Sequence, residues 1–261
     1  MSSSAQTPSS VGTLRHDSVP IPSVDQSLPL RLLPFVLSLA AGSVDVIGFL
    51  GLDELFTAHI TGNLVVLAAH LVADKNASLA LVMSVPLFIV MLVVTRLFAT
   101  ALERYRITPL RPLLFLQFAL LCGFLGICLA VGPDASAEAP TMLAAGMLGV
   151  SAMAVQNALV RIALVGAPST AVLTTDITLL TTDIGEIMLG READRIANAR
   201  RRVKHTWPAV LGFLLGCALG ALFEARIGLR ALVLPVGFAF VALALAMSCK
   251  LHNGCGSTAE K

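Results

Sequence analysis

Hydrophobic residues along this chain gather into eight stretches separated by short polar or charged connections. They run from Leu32 to Leu50, Ala58 to Ala73, Leu79 to Leu102, Leu113 to Val131, Thr141 to Val165, Thr170 to Leu189, Trp207 to Phe223 and Leu229 to Cys249. A helix needs about 20 apolar residues to cross a hydrocarbon core of about 30 Å. The first, third, fourth, fifth and eighth stretches meet that length, and the seventh is near its lower limit. The second is short, and the sixth carries Asp176, Asp183 and Glu186 among its threonines. An acid at the centre of a lipid-facing helix costs about 2.5 to 3.5 kcal/mol on insertion scales. The pattern therefore predicts an all-α integral membrane protein with about six spans and two short or re-entrant helices.

The basic residues support that count. One connection holds Arg104, Arg106 and Arg111, and another holds Arg191, Arg195, Arg200, Arg201, Arg202 and Lys204. The connection between the fourth and fifth stretches holds Asp134 and Glu138 and no basic residue. Lys and Arg concentrate in cytoplasmic loops. If all eight stretches cross, the two basic connections fall on opposite sides; if the second and sixth do not fully cross, both fall on the cytoplasmic side. Both termini are then expected in the cytoplasm, with Arg96 and Arg161 reaching toward its interface as long side chains can.

Composition agrees with this environment. Hydrophobic residues make up 56% of the chain and charged residues 13%, against roughly 25% charged in soluble domains. A net charge of +2 gives no field of the kind that grips nucleic acid. Residues 1–29, rich in Ser and Pro, read as a disordered tail. Residues 30–251 read as one polytopic domain and residues 252–261 as a short tail. Cys122, Cys128, Cys217, Cys249 and Cys255 lack metal-site or disulfide spacing, so no metal or cofactor is expected. The chain contains no HExxH or GxSxG motif, and no enzyme is expected.

The second and sixth stretches align at a constant offset of 113 residues. Ala58-His59-Ile60-Thr61-Gly62-Asn63-Leu64 falls on Ala171-Val172-Leu173-Thr174-Thr175-Asp176-Ile177. Two halves, about 30–132 and 140–250, would each hold three full spans and one partial one. Three is odd, so the halves would insert with opposite orientation, as in many secondary transporters.

The candidate binding residues follow from that repeat. Asp45 is an acid inside an apolar span, where ionisable residues mark function. His59, Thr61, Gly62 and Asn63 open the second stretch, where a half-helix start offers free N–H groups and side-chain oxygens. Simple N-capping by Thr61 or Asn63 is the alternative for these residues. Gly62 also permits backbone conformations closed to other residues. Gln156 and Asn157 lie within the fifth stretch, and Thr175 and Asp176 open the sixth. Gly212, Gly216 and Gly220 form a small-residue stripe for close helix packing, within one chain or between copies.

Gly42-Ser43-Val44-Asp45, Thr61-Gly62-Asn63-Leu64, Gln156-Asn157-Ala158 and Thr174-Thr175-Asp176-Ile177-Thr178, in that order, resemble the YoaK family of bacterial membrane proteins, a domain of unknown function. The resemblance covers nearly everything after the N-terminal tail. It implies an inner-membrane protein of about six spans and names no substrate. That family often carries a second Thr-Gly pair where this chain has Thr175-Asp176. The expected function is secondary transport of a small solute. The alternative is a membrane scaffold that uses the glycine stripe for assembly and the segment Arg191 to Lys204 for partners or anionic lipid.

Overall fold

The computed structural model describes residues 28–73, 78–132, 139–164, 166–168 and 173–248. The terminal tails, the connection holding Lys75 and the acidic connection of Asp134 and Glu138 lie outside the described residues. The described elements are helical: α1 (Leu28–Gly51), α2 (Ile60–Val72), α3 (Leu79–Arg104), α4 (Leu110–Val131), α5 (Pro140–Ala163), α6 (Leu173–Leu189), α7 (Ala193–Ile227), a 3-10 turn (Gly228–Leu232) and α8 (Val233–Ser248). This is an all-α membrane architecture.

Five helical segments are long and apolar enough to cross a bilayer: α1, α3, α4, α5 and the continuous run Ala193–Ser248. That last run folds back on itself at the 3-10 turn. Its first limb, α7, lies parallel to α1, because Gly212, Gly216 and Gly220 abut Phe35, Leu39 and Ser43 in turn. Its second limb, α8, starts beside Gly51, against which Leu229 packs. It ends where the Arg111 guanidinium donates to the Ala246 carbonyl at 3.1 Å. The run thus supplies two crossings, for six in total. The Arg191 to Lys204 segment, expected as a connection, is largely the first three turns of α7. Apolarity ends at Trp207, but Ala, Arg and Lys sustain a helix in water as well as in lipid.

The second stretch forms a re-entrant helix. After α1 the chain turns sharply through Asp53 and Glu54, both at positive φ (53° and 63°). It then descends along α1 to Ala58 and His59, which meet Asp45. From there α2 climbs back, and His70 Nε2 lies 2.9 Å from Glu54 Oε2. Its 13 residues span about 20 Å at 1.5 Å per residue, too short to cross. The sixth stretch behaves likewise from the other end. α6 packs on α7 and ends at the charged start of α7, where Arg202 grips Asp183 through three hydrogen bonds of 2.6 to 3.1 Å. Arg104, Arg106, Arg111 and the start of α7 therefore share one end of the molecule, hereafter the basic end.

The packing is unchanged when α1–α4 are exchanged for α5–α8. α1 packs on α7 as α5 packs on α3; α1 on α8 as α5 on α4; α2 on α3 as α6 on α7. The pairs α4–α8 and α1–α5 map onto themselves. α1 and α5 run antiparallel, since Gln156 bonds the Leu37 carbonyl while Gly146 meets Leu52 and Leu55. These two helices are mostly buried, whereas most of α3 and α4 faces outward. Val90, Val93, Val94 and Leu97 belong to that outer apolar surface.

Candidate functional site

A helix that begins inside a membrane leaves its first N–H groups without partners, and lipid offers none. No side chain of α2's own N-terminus caps them. Asp45, on the neighbouring helix, holds the residues just ahead of them. Its Oδ1 accepts from the Ala58 N–H at 2.7 Å, the His59 N–H at 3.3 Å and the Thr57 hydroxyl at 3.4 Å. Only 3% of Asp45 is exposed. Asn63 secures the same turn. It accepts from the Phe56 N–H at 2.9 Å, donates to the Phe56 carbonyl at 2.8 Å, and donates to Ser84 of α3 at 3.0 Å. Gly62 is an ordinary helical residue, so its backbone freedom is not used. Its missing side chain matters instead: a Cβ there would stand 2.9 Å from the Phe56 ring.

In front of this wall lies a cavity of ≈510 Å³ between α2, α3, α5 and the start of α6. His59 and Thr61 reach it from the start of α2, and Thr174 from the start of α6. Phe88, Leu92 and Arg96 line it from α3, and Asn157, Arg161 and Ile162 from α5. Three of the residues singled out from sequence, His59, Thr61 and Asn157, thus meet in one space. The others do not line it. Asp45 and Asn63 hold the wall behind it. Gln156 ties α5 to α1 through the Leu37 carbonyl (3.0 Å) and accepts from Gln117 of α4 (2.7 Å). Asp176 is buried in the first turn of α6, and Thr175 is exposed. The glycine stripe is consumed inside the chain, against α1.

Arg96 and Arg161, expected to reach toward the interface, are both exposed, and both line the cavity. Arg96 precedes the end of α3 by about 12 Å of helix, too far in for its position to be that of an end residue. An arginine inside an apolar stretch was itself a signal of function. What the sequence lacked was the facing of α3 toward α5. No Asp or Glu lines the cavity, and among the described residues neither arginine joins an ion pair. The Asp45 carboxylate is already committed to the Ala58 and His59 N–H groups.

A second cavity, of ≈290 Å³, lies between α6 and α7 at the basic end. The Asp183–Arg202 pair crosses it and matches charge with charge.

The sequence model of DUF1275, a protein family of unknown function, matches residues 33–245. No curated protein and no solved structure matches the chain. The chain therefore belongs to the DUF1275 family, in agreement with its YoaK-like motifs.

Proposed function

We propose that this chain is a secondary transporter of a small solute, with the 510 Å³ cavity as its binding site. One observation carries the reading: two short helices that enter from opposite ends, α2 and α6, both begin at this cavity. Discontinuous helices whose N-termini meet a central site are how many transporters bind and release cargo. The exchange symmetry of the packing supplies the other requirement. Halves of opposite orientation, about 30–132 and 140–250, can swap roles, so a state open to one side has a counterpart open to the other. Rocking of α3 and α5 against α1 and α7 is the motion this arrangement permits.

The basic end faces the cytoplasm of a bacterial inner membrane in this reading, with both termini on that side, because Lys and Arg are retained there. A scaffold role draws less support, since the glycine stripe that would join copies is already covered by Phe35, Leu39 and Ser43.

Ala158 lines the cavity and provides the test. In a cysteine-free background, Ala158→Cys is placed in vesicles of either orientation and exposed to a membrane-impermeant thiol reagent. Labelling from both faces is expected. Labelling from one face only, whatever gradients are imposed, would end the transporter reading.

A further inference from the structure

We infer that the cavity selects a small organic anion, an acidic group carried on an apolar body. The inference rests on the transporter reading for its setting, but its own evidence is chemical. Arg96 and Arg161 line the space from two adjacent helices, and no acid lines it with them. Two guanidiniums cannot shed their charge, and both residues are exposed, so the cavity presents two positive charges to whatever enters it. An anionic guest matches them. Further donors stand close by: the Thr61 and Thr174 hydroxyls and the His59 ring. The Asn157 amide is partly spent on the Met153 carbonyl, at 2.9 Å.

The start of α2 adds little to the attraction, since the Asp45 carboxylate, bonded to the Ala58 and His59 N–H groups just ahead of it, offsets the partial positive charge of that helix end. The arginines, rather than a helix end, therefore set the preference for charge. Phe88, Leu92 and Ile162 make the remaining wall apolar, which a bare inorganic ion would not fill. A carboxylate on a short alkyl or aromatic body satisfies both surfaces, and guanidinium groups match carboxylate geometry.

The test uses the full chain with Ala158→Cys in zwitterionic phosphatidylcholine vesicles. The probes are butyrate and benzoate, their neutral counterparts butyramide and benzamide, and chloride. The acids are expected to slow labelling of the cysteine, and the amides and chloride to leave it unchanged. Arg96→Gln and Arg161→Gln should each raise the protecting acid concentration about tenfold or more, as loss of a charge-assisted hydrogen bond implies. The acid–amide comparison needs neither variant, so a folding defect in one does not blunt it.

Equal protection by acid and amide, protection by chloride alone, or no protection by any probe would overturn the inference. If the cysteine still labels from both faces in that case, the transporter reading stands and only the substrate class is wrong. Protection that appears on exchanging the lipid for anionic phosphatidylglycerol, with no probe added, would identify a lipid headgroup as the guest and also overturn it.

Discussion

Two polar residues at the α1–α2 turn show how a membrane protein holds a helix that starts in mid-bilayer. Asp45 serves α2 through one oxygen, Oδ1. An amide retains that acceptor, whereas alanine removes it and strands buried N–H groups. Asp45→Ala is therefore expected to lower stability by about 1 to 3 kcal/mol, and Asp45→Asn by clearly less, in detergent denaturation titrations. Equal losses would show that α2 needs the charge and not merely an acceptor. Asn63 poses the converse case. Its Nδ2 donates to both Phe56 and Ser84, and a carboxylate can donate to neither. Asn63→Asp should thus cost about 1 to 3 kcal/mol in the same titration, although Asp176 stands at the corresponding place in the second half. A neutral outcome would mean that residue 63 is held by acceptance from the Phe56 N–H alone.

At the scale of elements, α1 and α7 approach so closely that side-chain volume decides the contact. A Cβ on Gly216 would stand 2.4 Å from the Leu39 carbonyl oxygen, and backbone cannot rotate away as a side chain can. Gly216→Ala should therefore separate the helices and reduce the monodisperse fraction on size exclusion. Gly237→Ala, which meets nothing within 4 Å, should leave that fraction unchanged. Retention of the Gly216→Ala variant at full yield would show that α7 can slide along α1. The stripe was legible in the sequence because small residues every four positions have one common use in helices. Which helix it faces was not, since a repeat on α7 says nothing of its partner. The same limit explains Arg96 and Arg161: each visibly interrupts an apolar stretch, but only the facing of α3 and α5 turns them toward a shared cavity. His59 and Thr61 were within reach because the offset of 113 residues pointed to helix starts, and Asn157 because it is a polar residue inside an apolar stretch. The equivalence of α3 and α7 is absent from their sequences and present in their packing. Outward faces need only be apolar, so their residues drift freely.

For the molecule as a whole, the decisive question is whether α2 and α6 turn back. Hydropathy alone leaves α2 ambiguous, because a mostly apolar helix of 13 residues could be a tilted, thinned crossing or a re-entrant limb. The bond between His70 and Glu54 places the C-terminal ends of α1 and α2 at the same face. Asp53→Cys and Val72→Cys, in a cysteine-free background, are therefore expected to label from one side of the membrane. Arg106→Cys and Glu192→Cys should label from the other. If Val72→Cys labelled from the side opposite to Asp53→Cys, α2 would cross, and the parity of every later helix would change. Both basic clusters would then lie on the face opposite the start of α1, and the start of α1 and the end of α8 would no longer share a side. Helices α1 and α5 would no longer run in opposite senses while keeping the contact between Gln156 and Leu37. The cavity would lose the short helix that opens it at His59 and Thr61. Orientation, charge distribution and binding site thus depend on the same turn, and the four cysteines examine them together.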